Sequence, residues 1–341
     1  MKTTVREILK GTKLGKLQTV GMMQVLPLIG EIQFDKFASP LKNSMFSTNE
    51  YGSMNWKNLT SKVIIVPTHT SYMIKEQGQD HALPASGIIS KNSSRNYNTA
   101  ACIQETCGGH ISPSDYDFSI LPFSIREPAI RKRNETKYGK LWSDIKIFNN
   151  ATQITEHSAH LEYFFDKFKE ELNEFVAEFE NITFQVGAII FINGIIAGIE
   201  RTPNSNYWND IWRPLIRGCY GSCVIENIQQ KRKLDTNSIE RMRVPLDLTK
   251  IESISDLEKQ FKITQKKQKS NVIDIIKEYL DESLSETIDE IKGNLNRNNL
   301  ENSNFIGQAV REEEAYVYAS LISKKSSLNS LKWKAAEKFE I

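Results

Sequence analysis

The sequence predicts an α+β fold, with an antiparallel or mixed sheet at the core, helices packed on that sheet, and a helical insertion. Three observations lead to this prediction. Two β-branched apolar runs are joined by Asn193-Gly194, a phenylalanine-rich amphipathic segment precedes them, and a charged stretch poor in aromatic residues follows. Runs of strands and runs of helices in separate parts of one chain, without strict alternation, are typical of α+β proteins.

The first of these observations predicts a β-hairpin. Asn193-Gly194 suits a type I′ turn, because both central residues of that turn need a positive φ. Residues 184–192 and 195–201 are therefore expected to pair antiparallel. Large apolar residues then recur at roughly helical spacing, which predicts a helix over 207–223 that lies on the sheet.

The segment 157–180 is predicted to be one amphipathic helix that buries an apolar stripe against the sheet. Its apolar residues follow each other at intervals of three, one or four positions, as on one face of a helix. These residues are Leu161, Phe164, Phe165, Phe168, Leu172, Phe175 and Phe179.

The rest of the chain divides by composition. Residues 1–125 alternate short strand-like runs with polar loops, and 126–140 are predicted to be a basic loop. Residues 229–300 are charged and helix-prone, which predicts a helical insertion. The α+β core is then expected to span 1–228 and to be completed by 301–325, and 326–341 are expected to form a C-terminal tail with a short helix.

Composition sets broad limits on function. The chain has 341 residues and a net charge of +2, which gives no general attraction to nucleic acid or to a membrane. Its longest apolar run, 187–192, is too short to span a bilayer. Four cysteines in this length do not make a disulfide framework. We therefore expect a cytoplasmic protein, and the wealth of Asn, Lys and Ile indicates an AT-rich bacterial or phage genome.

The order of motifs resembles the ARPP domain, the ARG and rhodanese-phosphatase-associated protein family. That family carries a glycine-rich hairpin before a helix with spaced Trp, Leu and Tyr. The matching residues here are Gly187, Ala188, Asn193, Gly194, Gly198, Trp212, Leu215 and Tyr220, the last of them one place late. Residues 17–28, 102–105, 141–145 and 305–323 are similar to further family elements in the same order. The family's Glu-x-Gly-Arg-Trp stretch is replaced by 104–110, where the acid is displaced and the Arg-Trp pair is missing.

The resemblance implies a link to ADP-ribose chemistry, and so a small anionic, nucleotide-like ligand. Basic residues offer candidates for holding such an anion, since arginine presents a planar fork of donors. Trp208 and Trp212 could provide a stacking surface beside them. The predicted ligand-binding cleft contains Arg126, Arg131, Arg133, Arg201, Arg213 and Arg217 with these two tryptophans. The simpler alternative for the basic loop is that its charges only contact solvent. The simpler alternative for the tryptophans is that they belong to the core while the arginines beside them extend to solvent.

No cofactor or metal is predicted. Cys102, Cys107 and His110 have a C-x4-C-x2-H spacing, with His81 or Cys219 as a fourth ligand, but zinc sites usually contain paired C-x2-C units. His157 and His160 are better explained as a surface pair. The sequence contains no Walker loop, nucleophile elbow or dinucleotide-binding glycine motif.

Three functions remain open at this stage. The first is sequestration or sensing of a nucleotide-like or ADP-ribose-like molecule, for which conflict between bacteria and phages is one setting. The second is an enzyme acting on such a molecule, with Glu105 and His110 as acid and base. The third is a protein-interaction module that uses the helical insertion. A homo-oligomer is compatible with each of them.

Overall fold

The structure is a computed structural model that describes residues 1–48, 50–74, 79–105, 116–136, 139–156, 158–234 and 254–325. Its helices are α1 (Val5–Ile8), α2 (Phe123–Arg131), α3 (Trp142–Ala151), α4 (Glu162–Lys167), α5 (Lys169–Ala177), α6 (Ser205–Pro214), α7 (Gly221–Leu234) and α8 (Ile254–Leu280). A π-helical turn, Leu215–Tyr220, joins α6 to α7.

The strands fall into one large sheet and several small ones. The large sheet contains β1 (Lys2–Thr4), β2 (Thr12–Leu14), β3 (Gln18–Val20), β4 (Met23–Gly30), β16 (Gln185–Ile192), β17 (Ile195–Arg201), β18 (Ser283–Lys292), β19 (Leu295–Glu301), β20 (Phe305–Glu312) and β21 (Ala315–Ser323). The small sheets contain β5 (Phe37–Ala38), β6 (Ser44–Ser47), β7 (Met54–Asn58), β8 (Val63–Val66), β9 (Thr70–Ile74), β10 (His81–Ala82), β11 (Gly87–Ile89), β12 (Ser94–Tyr97), β13 (Ala101–Cys102), β14 (Tyr116–Ile120) and β15 (Gly139–Lys140).

The large sheet has ten strands and is antiparallel throughout. Its strand order is β1-β18-β19-β20-β21-β17-β16-β4-β2, and β3 also pairs with β4. Helices cover it on both faces. The aromatic residues of α6 pack on one face, and α1 and α8 pack on the other. The α+β prediction is confirmed.

The predicted hairpin is confirmed as β16 and β17, which pair antiparallel around Asn193 and Gly194. Both turn residues have positive φ angles, 52° and 74°. Two glycines of the family motif have steric reasons for lacking a side chain. A Cβ at Gly187 would collide with the Glu200 carbonyl, and a Cβ at Gly198 would collide with the Tyr220 hydroxyl.

The helix predicted over 207–223 exists but is longer and not uniform. Asn204 caps α6 by accepting a hydrogen bond from the Tyr207 amide at 2.9 Å. Pro214 ends α6, since proline has no N–H to continue the helical hydrogen-bond pattern. The chain then widens into the π-helical turn and continues as α7.

The phenylalanine-rich segment is also helical, but in two pieces. α4 and α5 are separated at Phe168, where φ is −109° and ψ is 22°. Six of its seven predicted apolar residues are buried, and Phe175 is partly buried. Leu161, Phe164 and Phe165 pack mainly against α2, α3 and the small sheet of β10 and β13, and not against the large sheet as predicted.

Two other secondary-structure predictions need correction. The predicted basic loop over 126–140 begins inside α2, which ends at Arg131. Within the predicted insertion, α8 is a helix, but β18 and β19 are strands whose neighbours in the sheet are β1 and β20. The charged side chains of 283–301 obscured a period-two pattern in which Leu284 and Glu286 are buried. The domain boundaries themselves remain a prediction, and the tail 326–341 lies outside the described residues.

Candidate ligand site between α2, α3 and α7

A pocket opens where α2, α3 and α7 meet the turn between β16 and β17. Its volume is about 480 Å³. It is lined by Phe123, Ser124, Glu127, Pro128, Arg131, Lys132, Asp144, Ile147, Phe148, Ile192, Asn193, Ile195, Ala197, Cys223, Glu226, Asn227, Gln230, Ser323 and Lys325. These residues come from distant parts of the sequence, so the pocket exists only in the folded chain.

The floor of the pocket is apolar. Phe123 and Phe148 come from α2 and α3, and Ile192, Ile195 and Ala197 come from the two sides of the hairpin turn. All five side chains are buried. The same tight Asn193-Gly194 turn that the sequence predicts therefore places the ends of β16 and β17 under the pocket.

The rim of the pocket carries Arg131 and Lys132 at the end of α2. Arg131 Nη2 lies 2.8 Å from Glu127 Oε1 and 3.4 Å from Glu301 Oε1, and its side chain is 49% exposed. The hydrogen bond to Glu127 raises the pKa of Arg131. Lys132 Nζ lies 2.8 Å from Asp144 Oδ2. Both cations are therefore held at the mouth of the pocket by carboxylates.

Arg131 and Lys132 lie in the basic segment 126–140, and Arg131 is one of the predicted ligand-binding residues. The apolar floor was not anticipated. Phe148, Ile195 and Cys223 carry no local signal that distinguishes a pocket residue from a core residue, because the cavity depends on how three helices meet. Glu127 and Asp144 are not among the predicted site residues either, although they form ion pairs with Arg131 and Lys132 of the predicted basic segment.

Arg126, also on α2, points into the interior and is fully buried. Its Nε donates to His69 Nδ1 at 2.8 Å, and its Nη1 donates to Glu200 Oε1 at 2.9 Å. Nη1 also lies 3.2 Å from Cys219 Sγ, and Nη2 donates to Ser320 Oγ at 2.5 Å. This cluster joins α2 to β17, β21 and the π-helical turn, so in this structure Arg126 is a structural cross-link.

His69 shows the electrostatic character of this cluster. Burial and then the neighbouring Arg126 charge hold the pKa of His69 well below its ordinary value. Because Nδ1 accepts the hydrogen bond from Arg126, the neutral ring carries its proton on Nε2. Burial also raises the pKa of Cys219 to about 12, so this thiol is not activated as a nucleophile.

Arg201 and Arg133 also contact backbone carbonyls. Arg201 Nη1 donates to the carbonyls of Ile8 and Lys10 at 2.5 Å and 2.7 Å, at the end of α1. Burial lowers the pKa of Arg201 to about 10. Arg133 Nη1 donates to the carbonyl of Ile130 at 3.0 Å. Arg201 therefore joins β17 to α1, whereas the Ile130 contact of Arg133 is local to the end of α2 and its link to another element is the ion pair with Asp289 of β18, Nε to Oδ1 at 3.7 Å. The predicted ligand contacts of both arginines stay predictions.

The remaining residues of the predicted cleft lie along α6 and the π-helical turn. Trp208 and Trp212 are buried in the core with ring centroids 5.3 Å apart. Arg213 is exposed on α6. The Arg217 guanidinium lies 5.2 Å from the centre of the Phe165 ring, and burial lowers its pKa. Arg131 is the one predicted ligand-binding residue that lines the described pocket.

The predicted acid–base pair is only partly described. Glu105 Oε1 lies 2.8 Å from Lys146 Nζ, and Glu105 Oε2 accepts a hydrogen bond from the Ala159 amide at 2.9 Å. These two hydrogen bonds lower the pKa of Glu105, so the carboxylate is ionised at neutral pH. His110 lies outside the described residues, and a catalytic role for the two remains a prediction.

The cysteine and histidine candidates for metal binding are also only partly described. Cys107, His110 and His157 lie outside the described residues. Both ring nitrogens of His81 are engaged, Nδ1 with the Gln79 carbonyl at 2.7 Å and Nε2 with the Gly52 amide at 3.2 Å. Within the described ranges, no group of three or more His, Cys, Asp or Glu side chains could hold a metal ion. In the same ranges, no helix has the length and apolar composition of a membrane span.

Comparison with known proteins identifies the family. Searches of curated proteins and of solved structures found no match. The family model of the ARG and Rhodanese-Phosphatase-superfamily-associated Protein domain, ARPP-1, matches residues 11–322. This match includes the glycine hairpin, the α6 tryptophans and the pocket-lining residues from Phe123 to Gln230. The chain belongs to the ARPP-1 family.

Proposed function

We propose that this protein binds a small anionic, nucleotide-like or ADP-ribose-like molecule in the pocket between α2, α3 and α7. The observation that carries the proposal is the pairing of an apolar floor with Arg131 and Lys132 at the rim. Small-molecule sites are typically concave, mostly apolar and supplied with a few polar groups that fix orientation. A volume of about 480 Å³ lies within the range of such sites.

The apolar floor and the basic rim are proposed to bind different parts of the ligand. A nucleobase would lie on the floor between Phe123, Phe148 and the hairpin turn, and its phosphate would face the rim. Arginine suits this role because its guanidinium binds two phosphate oxygens at once.

The carboxylates at the rim do not prevent anion binding. The lining contains Arg131, Lys132 and Lys325 against Glu127, Asp144 and Glu226, so it is balanced in charge. Exposed ion pairs of this kind contribute only about 0.2 to 1 kcal/mol each. A bidentate phosphate contact is stronger, because charge-assisted hydrogen bonds are worth about 1.5 to 3 kcal/mol. A phosphate can therefore replace Glu127 as the partner of Arg131.

We assign binding, and not turnover, to this site. The role proposed for it is sequestration or sensing of a nucleotide signal, with conflict between bacteria and phages as the proposed setting. The lining includes carboxylates, but Glu127 and Asp144 are engaged with the rim cations. An enzyme using Glu105 and His110 would place its chemistry elsewhere in the chain.

The test is a panel of nucleotides that includes AMP, ADP-ribose and NAD, with the bound fraction measured by calorimetry and its identity by mass spectrometry. Arg131→Ala should weaken binding roughly 10- to 100-fold. Arg213→Ala, which removes an exposed arginine outside the described pocket, is the matched control and should bind as the parent does. Asp144→Asn leaves Lys132 without its carboxylate and should tighten binding.

The outcomes separate the alternatives. Intact bound nucleotide supports binding, and an altered nucleotide supports catalysis, in which case Glu105→Gln should abolish turnover and spare binding. If Arg131→Ala and Lys132→Ala both bind the nucleotide as tightly as the parent, the pocket is not the ligand site. If Arg213→Ala alone weakens binding, the ligand lies at α6.

A further inference from the structure

One face of α7 forms a polar wall of the proposed ligand pocket. The lining residues from this helix are Cys223, Glu226, Asn227 and Gln230. They follow each other at intervals of three, one and three positions, so their side chains lie on one side of the helix. The rim cations lie on α2 and the pocket floor is apolar. The α7 face therefore supplies a second set of polar groups, separate from those proposed to hold the phosphate.

The contacts within α7 leave oxygen atoms as the main polar groups of this wall. Asn227 Nδ2 donates to the Cys223 carbonyl at 2.8 Å. Gln230 Nε2 donates to Glu226 Oε1 at 3.3 Å. Both amide nitrogens are thus directed to partners on the same helix. A carboxylate has about four lone-pair positions, so Glu226 can accept from Gln230 and from a ligand at the same time. The wall therefore favours a ligand edge that carries hydrogen-bond donors.

Glu226 differs in its surroundings from the carboxylates at the rim. Glu127 and Asp144 are ion-paired with Arg131 and Lys132. Glu226 lines the pocket from α7 and is only 8% exposed. A hydrogen bond to a carboxylate is stronger where water is largely excluded, and a mismatched group beside it is more costly for the same reason. Glu226 is therefore the lining carboxylate best suited to discriminate between ligands.

We propose that the pocket selects guanine nucleotides, with Glu226 accepting hydrogen bonds from N1–H and from the N2 amino group of the base. This inference rests on the proposed function and narrows its ligand to one base. Guanine carries these two donors side by side, and they match the two oxygens of one carboxylate. Adenine carries an acceptor at N1, which would face the carboxylate unfavourably. The pyrimidine bases have no pair of adjacent donors.

The first test compares GMP, IMP and AMP on the full chain by calorimetry. The three nucleotides share their ribose and phosphate and differ only in the base. IMP keeps the N1–H donor and lacks the N2 amino group, and AMP lacks both donors. One charge-assisted hydrogen bond corresponds to about 10- to 100-fold in affinity. IMP should therefore bind about 10-fold more weakly than GMP or worse, and AMP should bind more weakly still.

The second test changes the carboxylate and keeps its shape. Glu226→Gln should weaken GMP binding about 10- to 100-fold. It should strengthen AMP binding, because an amide offers one donor and one acceptor, which match adenine N1 and its N6 amino group. Glu170→Gln, at an exposed position on α5, is the matched control and should bind all three as the parent does. Arg131→Ala should weaken all three by the same factor, since it acts on the phosphate.

The outcomes distinguish the base preference from the proposed function. A loss of equal size for GMP, IMP and AMP in Glu226→Gln would overturn the role of Glu226, because a change in pocket shape alone acts on every base. If AMP or ADP-ribose binds the parent as tightly as GMP, and Arg131→Ala weakens both, the guanine preference is wrong and the proposed function stands. If neither ADP-ribose nor any of the three nucleotides binds the parent, both are wrong. Thermal unfolding checks that each variant is folded.

Discussion

The Tyr220 hydroxyl donates a hydrogen bond to Glu200 Oε1 at 2.7 Å, directly over Gly198. Glu200 and Gly198 belong to β17, and Tyr220 closes the π-helical turn. The same carboxylate oxygen accepts the hydrogen bond from Arg126 Nη1. This arrangement connects the motif glycine, the motif tyrosine and α2 through one buried carboxylate, and it explains why the strand needs a glycine under the tyrosine.

Gly198→Ala should therefore destabilise the protein. The added methyl group would collide with the Tyr220 hydroxyl, and it would also come within 3.1 Å of the Leu321 carbonyl of the neighbouring strand, which is a tight contact. Overpacking of this kind typically costs about 1 to 3 kcal/mol. Urea unfolding measures the loss. The control is Gly293→Asn in the turn between β18 and β19, where the site is open and asparagine tolerates the φ of 61°. Equal stability of Gly198→Ala and the parent would contradict this account.

Removing Arg126 should be more costly than removing an exposed arginine. Arg126→Met leaves Glu200 as a buried carboxylate without its cation, which typically costs about 3 to 5 kcal/mol. Arg213→Met on the surface of α6 should change the free energy of unfolding by less than about 0.5 kcal/mol. A double variant with Glu200→Gln should recover part of the loss, because the unbalanced charge is then absent. A loss in Arg126→Met as small as that in Arg213→Met would show that the cluster does not support the fold.

Acid should destabilise the protein through its buried histidines. Burial lowers the pKa of His81 to about 4, and burial lowers that of His69 as well. Between the folded pKa and the unfolded value near 6.5, the unfolded chain binds more protons, so stability falls as the pH falls. For His81 the loss from pH 7 to pH 4 is about 3 kcal/mol. Urea unfolding at pH 7, 5.5 and 4.5 should show this slope, and His81→Gln should reduce it. A slope that is the same in both proteins would contradict the role of His81.

The phenylalanine-rich helices should contribute strongly to stability. Phe164 is fully buried and packs edge-on against Phe148 at 4.7 Å between ring centroids. Phe164→Ala should cost about 3 to 5 kcal/mol in urea unfolding. Phe175→Ala, at a partly buried position in the same segment, should cost clearly less. If the two variants lose equal stability, the burial pattern of α4 and α5 does not describe the protein in solution.

Local patterns were sufficient for several elements. Asn193-Gly194 predicts its own turn because few residues accept positive φ at two successive positions. The spacing of Leu161, Phe164, Phe168 and Leu172 predicts a buried helical face, because those positions share one side of a helix. The order of the glycine, tryptophan and leucine motif residues was enough to identify the family. None of these inferences requires knowledge of which elements meet.

Other features were decided by the tertiary structure. β18 lies between β1 and β19, and its pairing with β1 joins residues about 280 positions apart, for example Lys2 and Ser285. Its many charged residues suggested a helix, because a charged residue such as Glu286 is not expected on the buried face of a strand. In the folded chain Glu286 is buried beside partners such as Tyr316, whose hydroxyl donates to it at 2.9 Å. No local pattern contains that information.

The candidate site also depends on the tertiary structure. The basic residues of 126–133 are visible in the sequence, but α2 turns Arg126 into the core and Arg131 toward the pocket. Each residue of an α-helix is rotated by about 100° from the one before it, so Arg126 and Arg131, five residues apart, point about 140° away from each other. One face of α2 is buried, and this decides which of the two arginines reaches solvent. The sequence by itself determined the hairpin, the amphipathic helices and the family. Which cations lie at the mouth of a pocket depends on how α2, α3, α7 and the hairpin pack together, because that packing forms the pocket.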